Sequence, residues 1–232
     1  MENADAFSLF GVDHWIALIV VVVVAIGFAR LGKRRGDDRR IAFALVAALL
    51  AAEVAARIVF IGVLDYPWRL NLPLHICGMN NFLLAAMLGF RSYRLFEVAY
   101  FWGVGGTLGA MLTPDLPFGF PSLLFFFFFA GHGLLLWSAV YAVFGYGFRP
   151  RLRSVGVALA ATAAYALAVT PVNLLLGANY LYLRRPPTEA TVLDLFGSGP
   201  AYYAGLVLLA VTVCLLCYLP FPLAARFRRL RR

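Results

Sequence analysis

Residues 14–31 read HWIALIVVVVVAIGFARL, an apolar run long enough to cross the hydrocarbon core of a bilayer. That core is about 30 Å thick, and a helix needs about 20 residues to span it. The chain holds about seven runs of this kind, near 14–31, 41–64, 72–89, 95–113, 121–144, 153–177 and 200–221. Because lipid offers no hydrogen bonds to exposed backbone, such runs form helices. We predict an all-α, polytopic transmembrane helix bundle, with residues 1–232 forming a single domain.

The composition agrees with this fold class. The chain is 63% hydrophobic and 13% charged, and its mean hydropathy is +0.85. A soluble domain is about 45–50% apolar, with roughly a quarter of its residues charged. We therefore expect an integral, multi-pass protein of the cell membrane.

Lys and Arg gather at one set of predicted helix ends, within residues 30–40, 91–94, 149–153 and 226–232. The other ends carry most of the acidic residues and few basic ones, namely Glu2, Asp5, Asp13, Asp65, Asp115, Glu189 and Asp194 beside Arg69, Arg184 and Arg185. Basic loops stay in the cytoplasm, so the N-terminus is predicted outside and the C-terminus inside. The net charge of +9 thus indicates topology and a contact for anionic lipid headgroups, and no nucleic-acid partner is expected.

Two function classes conflict with the sequence. A retinal protein needs a lysine in its last helix, and the only lysine is Lys33, in the first basic loop. A zinc site needs several ligands at suitable spacing. The pair Cys214 and Cys217 has such a spacing but lies in an apolar helix without further ligands nearby in sequence. We expect no metal and no cofactor.

Polar side chains within the predicted spans concentrate in the outer half of the bundle. Each is a candidate functional residue, since such groups are costly in lipid. They are Glu53, Arg57, Cys77, Asn80, Asn81, His132 and Asn173, with His14, His75 and Asp115 close to the outer helix ends. An outward-opening polar pocket explains this one-sided distribution, although hydrogen bonds between helices could use the same residues.

Helical spacing predicts which of these side chains face the pocket together. Cys77, Asn80 and Asn81 are three or four residues apart and share a helix face, whereas His75 points elsewhere. Glu53 and Arg57 are four residues apart. That spacing fits an internal ion pair, and it equally fits an Arg57 that binds a phosphate or carboxylate.

Cys77 and His132 form a candidate catalytic pair. A thiol in apolar surroundings is inert unless a base or cation lies nearby. His132 lies between two glycines, Gly131 and Gly133, which allow close approach of another group. A cysteine activated by histidine attacks acyl carbonyls, and Asn side chains or Arg57 could stabilise the oxyanion that forms.

Four ordered motifs carry a family resemblance over roughly residues 50–200: LPLHIC, EVAYFWGVGGTLGAMLTPDL, GHG and PVNLLLGANYLYLRRP. With these motifs the chain resembles the YwaF-like bacterial integral membrane proteins, a group similar to the animal transmembrane protein 164 family. The resemblance implies a membrane-embedded acyltransferase that acts on phospholipids through a catalytic cysteine and histidine. Cys77 and His132 match those two roles. The family is also similar to small membrane hydrolases with a threonine nucleophile.

The resulting hypothesis is acyl transfer between phospholipids and lysophospholipids through a thioester on Cys77, or lipid hydrolysis if water accepts the chain. Arg57, Asn80, Asn81 and Asn173 would line the pocket, with Glu53, His75, His14 and Asp115 in supporting positions. The alternative is a transporter or lipid-binding protein with an outward-facing polar pocket and no chemistry.

Overall fold

The computed structural model describes residues 5–188 and 191–230. Glu2, Glu189, Arg231 and Arg232, which contribute to the charge pattern above, lie outside the described residues. The described helices are α1 (Val12–Arg35), α2 (Arg39–Arg57), α3 (Ile76–Phe90), α4 (Tyr93–Phe101), α5 (Thr107–Leu112), α6 (Leu123–Phe144), α7 (Leu152–Leu176), α8 (Pro200–Tyr218) and α9 (Pro220–Leu230). No β-strand forms within these ranges, where Ala6 and Phe118 make an isolated bridge.

Two π-helical segments lengthen the spans. Ile58–Val63 continues α2, and Trp102–Gly106 joins α4 to α5. Further along, α9 continues α8 through Leu219, which has helical backbone angles. The elements long and apolar enough to cross a membrane are Val12–Arg35, Arg39–Val63, Tyr93–Leu112, Leu123–Phe144, Leu152–Leu176 and Pro200–Phe227, with α3 as a shorter apolar helix. The all-α, multi-pass fold expected from the sequence is confirmed.

The third span differs from its predicted bounds. The sequence places its start near residue 72, but α3 begins at Ile76. The preceding residues form a turn, and His75 has extended backbone angles (φ −66°, ψ 151°). Pro73 explains the difference, because proline lacks the N–H that a helix interior requires and restricts the residue before it.

Two spans form the centre of the bundle. Buried residues make up 56% of the apolar window of Tyr93–Leu112 and 44% of that of α6, against 11–17% in the four other long spans. α6 packs against α1, α2, α3 and α5. The core formed by α2, α3, α4 and α6 includes Leu49, Leu84, Phe96, Leu135 and Tyr141. The remaining helices turn apolar faces outward, as helices in contact with lipid do.

Side-chain hydrogen bonds tie the loops together at each end of the bundle. At the end rich in arginine, called the basic end below, Tyr141 donates to the carbonyls of Gly36 and Asp38, and Tyr146 donates to that of Leu88. At the opposite end, called the N-terminal end because α1 begins there, Tyr180 donates to the Arg69 carbonyl. The location of either end outside or inside the cell remains a prediction.

Candidate functional site

Cys77 lies in the first turn of α3, at the N-terminal end of the bundle. It is the second residue of the helix, and its side chain is partly buried. The turn before α3 folds back onto the helix, so that a Cβ on Gly78 would lie 3.0 Å from the Pro73 Cα. Glycine at position 78 therefore permits the close approach that fixes the turn beside Cys77.

A hydrogen bond between Asn81 and Glu53 links α3 to α2 next to this turn, and each of the two residues also has a partner in its own helix. Arg57 Nε lies 3.1 Å from Glu53 Oε1, in an ion pair whose atoms are not aligned as a hydrogen bond. Asn81 Nδ2 donates to Glu53 Oε2 (2.8 Å) and to the Cys77 carbonyl (3.4 Å). The Arg57 guanidinium also donates to the Asn71 carbonyl. Of the two sequence interpretations, the internal ion pair is present, while 30% of the Arg57 side chain stays exposed.

Asn80 points to a different neighbour from Asn81. Its Nδ2 donates to the Ala99 carbonyl (3.3 Å), next to the π-helical segment that joins α4 to α5. Successive helical residues are about 100° apart, so α3 directs Asn81 toward α2 and Asn80 toward α4. The Oδ1 atoms of both side chains are buried without a hydrogen-bond partner among the described residues.

His75 packs in an aromatic cluster. Its ring lies 5.3 Å from that of Tyr180 and 5.2 Å from that of Tyr182. Burial lowers the pKa of His75 to about 4; the Asp115 carboxylate opposes this shift, and Arg57 adds to it. His75 is therefore neutral around pH 7.

Tyr182 connects this cluster to Asp115. The Tyr182 hydroxyl donates to Asp115 Oδ2 (3.1 Å), and the Tyr182 carbonyl accepts from the Tyr202 hydroxyl (2.8 Å). Burial raises the pKa of Tyr182, and the negative charges of Asp115 and of a Cys77 thiolate act in the same direction. Tyr180 and Tyr182 thus pack against His75, next to the start of α3. The sequence analysis did not anticipate these contacts, although both tyrosines belong to the motif PVNLLLGANYLYLRRP.

Asn173 holds the loop that carries these tyrosines. Its Oδ1 accepts from the Tyr180 N–H (2.7 Å), and its Nδ2 donates to the Tyr180 carbonyl (3.0 Å). The side chain is 1% exposed. The structure therefore shows Asn173 as an anchor of the loop, and its predicted contact with substrate stays a prediction.

His132 has a defined tautomer. Its Nδ1 lies 2.7 Å from the Phe128 carbonyl, which can only accept, so Nδ1 carries the proton and Nε2 has the free lone pair. No hydrogen bond between His132 and Cys77 is found in the described part of the chain. Helices α3 and α6 pack against each other and both run from the N-terminal end toward the basic end, with Cys77 in the first turn of α3 and His132 in the middle of α6.

His14 belongs to a separate structural contact. Its Nδ1 accepts from the Phe10 N–H (3.0 Å), and its Nε2 donates to the Met111 carbonyl (2.8 Å). The ring packs against Phe7, Phe10 and Phe129. His14 thus joins α1 to α5 with both nitrogen atoms engaged, away from Cys77.

The bundle and its polar end define a multi-pass, all-helical membrane protein. The family model of the TMEM164 family matches residues 9–218, and the chain belongs to that family. A search of curated proteins and a search of solved structures found no match. Among the described residues, no group of three or more His, Cys, Asp or Glu side chains is placed to hold a metal ion.

Proposed function

We propose that this protein is a membrane-embedded phospholipid acyltransferase that uses Cys77 as nucleophile and His132 as general base. The observation that carries the proposal is the 2.7 Å contact between His132 Nδ1 and the Phe128 carbonyl, which assigns the proton to Nδ1 because a carbonyl can only accept. This contact leaves Nε2 as a proton acceptor on α6, which packs against the helix that carries Cys77. A base oriented in this way and a nearby nucleophile are the usual components of a thiol acyltransferase site.

The reaction has two half-steps. First, His132 Nε2 takes the thiol proton, and the sulfur attacks the carbonyl carbon of a phospholipid ester. The tetrahedral intermediate collapses, the ester C–O bond breaks, and the lysophospholipid alkoxide leaves with the proton from His132. Second, the hydroxyl of another lysophospholipid gives its proton to His132 and attacks the thioester, which transfers the acyl chain and regenerates the thiol. Water in place of this hydroxyl would release a fatty acid.

The start of α3 suits the charge that develops in both half-steps. The backbone N–H groups of Cys77 and Gly78 lie in the first helical turn, where amides have no intrahelical acceptor. Such groups can donate to an oxyanion. Asn80 and Asn81 contribute indirectly, since their hydrogen bonds to Ala99 and Glu53 fix the orientation of α3.

The location of the site favours a substrate from one leaflet. Cys77 lies near the N-terminal end of the bundle, and the charge pattern predicts that this end faces outward. Lipid would then enter from the outer leaflet. In the structure the thiol and Nε2 are not hydrogen-bonded, and catalytic contacts often tighten only when substrate binds.

An acyl-enzyme assay tests the proposal. Purified protein is incubated with a phospholipid that carries a labelled acyl chain, and a hydroxylamine-sensitive adduct is measured. We expect the adduct in the wild type, none in Cys77→Ala, and about 10²–10⁴-fold slower formation in His132→Gln. Cys214→Ala and Cys217→Ala are matched controls, because they remove the two other free thiols, and should keep the adduct.

Absence of an adduct in the wild type, or an undiminished adduct in Cys77→Ala, would favour the transporter or lipid-binding alternative. If His75→Gln slows the reaction as much as Cys77→Ala while His132→Gln does not, His75 is the base instead.

A further inference from the structure

A cavity of about 330 Å³ lies at the N-terminal end, where the chain leaves α7. Its lining consists of Gly177, Ala178, Asn179, Arg184 and Arg185. Both arginine side chains are exposed. This volume is at the lower end of the range for small-molecule sites and is large enough for a phosphate group with its substituents.

The backbone around the cavity is held in one shape by side-chain hydrogen bonds. Asn179 Oδ1 accepts from the Arg184 N–H (3.0 Å), and Asn179 Nδ2 donates to the Arg185 carbonyl (2.9 Å). One guanidinium N–H of Arg184 donates to the Ala178 carbonyl (3.2 Å), just beyond the end of α7. The backbone that carries the two arginines is therefore already ordered, so less conformational entropy is lost when a ligand binds.

The guanidinium groups of Arg184 and Arg185 have few hydrogen-bond partners among the described residues, so most of their N–H donors can bind a ligand. The two ion pairs found among the described residues involve Arg57 and Arg91, and neither includes Arg184 or Arg185. The Arg185 guanidinium has no hydrogen bond to a described residue. A planar guanidinium fork matches the oxygen atoms of a phosphate, and both arginines line the same cavity.

The same loop reaches the candidate catalytic site. Tyr182, two residues before Arg184, packs against His75 and donates to Asp115, next to the start of α3. The ends of membrane-spanning helices lie at the level of the lipid headgroups. A lipid phosphate at the two arginines would therefore lie on the same side of the bundle as Cys77.

We propose that the cavity lined by Arg184 and Arg185 binds the phosphate group of the phospholipid or lysophospholipid substrate. This inference rests on the lipid substrate of the proposed function and names the subsite that selects lipids with a phosphate. Arg57, the residue singled out from the sequence for such contacts, is already paired with Glu53.

Binding without turnover tests the inference independently of the chemistry. In a Cys77→Ala background, the dissociation constant is measured for lysophosphatidylcholine with a fluorescent acyl chain and for a monoacylglycerol with the same chain. The double variant Arg184→Gln, Arg185→Gln should weaken lysophosphatidylcholine binding about tenfold or more, because charge-assisted hydrogen bonds are lost. Monoacylglycerol binding should not change, which also shows that the variant is folded.

A control variant and a measurement with inorganic phosphate distinguish a lipid headgroup from a free anion. Arg69→Gln removes an exposed arginine from the same end of the bundle and should leave both dissociation constants unchanged. Inorganic phosphate tests a free anion. If it binds the wild-type cavity but not the double variant, while lysophosphatidylcholine binds both equally, the site takes free phosphate and the inference fails. Equal weakening of both lipids, or no weakening of either, also overturns it. The acyl-enzyme assay can fail without affecting these measurements.

Discussion

Asn80 and Asn81 are adjacent in the sequence, yet their amides serve different parts of the bundle. Asn81 reaches the carboxylate of Glu53 on α2, and Asn80 reaches the Ala99 carbonyl at the end of α4. A polar side chain within lipid or a protein core is stable only when it finds such partners. The same principle applies to Asn173, which bonds twice to the backbone of Tyr180.

His75 shows how burial changes a titratable group near the membrane surface. The imidazole contacts two tyrosine rings, and its burial is the main cause of the low pKa of His75. The Asp115 carboxylate opposes the effect of burial only in part, and the positive charge of Arg57 adds a smaller effect in the same direction as burial, so the neutral form dominates. The folded protein therefore binds this proton at a lower pH than the unfolded chain does.

We predict a loss of stability in mild acid that depends on His75. Its pKa falls from an ordinary 6.5 to about 4 on folding. Below about pH 6.5 the unfolded chain is protonated first, so stability is complete above this pH and falls progressively toward pH 4. Between pH 7 and pH 5 the loss should reach about 2 kcal/mol. Thermal unfolding in detergent should show this drop in the wild type and a smaller one in His75→Gln; equal drops would contradict the assignment.

The start of α3 is the element on which the candidate site depends most. Pro73 ends the preceding turn against Gly78, and the helix then presents Cys77 in its first turn. Gly78 has ordinary helical geometry, so its role is the space that it leaves for the Pro73 backbone. An added methyl group would force the turn and the helix apart.

We predict different effects for two glycines of α3. A Cβ at position 78 would lie 3.0 Å from Pro73 Cα, whereas one at position 89 meets nothing within 4 Å. Gly78→Ala should therefore lower the free energy of unfolding by about 1 kcal/mol or more. Gly89→Ala should be neutral or stabilising by up to about 1 kcal/mol, since alanine favours helix. Thermal unfolding measures both, and equal effects would show that the Pro73 contact is unimportant.

Hydropathy predicted these elements better than it predicted the site. The long apolar runs correspond to α1, α2, α6, α7 and α8 because burial in lipid depends on composition and length. The start of α3 was placed too early, since one proline within an apolar run changes little in a hydropathy average. The π-helical segment Trp102–Gly106 had no sequence signal. The neighbours Tyr180 and Tyr182 depend on a loop fixed by Asn173, a contact that helical periodicity cannot indicate.

The two ends of the bundle differ in chemistry. At the basic end, Arg149 lies over the rings of Phe144 and Phe221, and Lys33 also lies over Phe144. Arg91 pairs with Asp37. Cations held against aromatic rings at a helix end suit the interfacial region, where anionic headgroups gather. At the N-terminal end, the loop after α7 contributes Tyr182 to the candidate site and Arg184 and Arg185 to the cavity.

The charge asymmetry predicts the orientation of the whole molecule. Basic segments next to helix ends remain in the cytoplasm, which would place the candidate site on the outer side. We test this with two single-cysteine variants in a background without native cysteines: Thr188→Cys at the N-terminal end and Arg34→Cys at the basic end, both exposed positions. In intact cells, a membrane-impermeant maleimide should label Thr188→Cys, and it should label Arg34→Cys only after the membrane is opened. The reverse pattern would place Cys77 near the inner leaflet, and lipid entry from the outer leaflet would then be wrong.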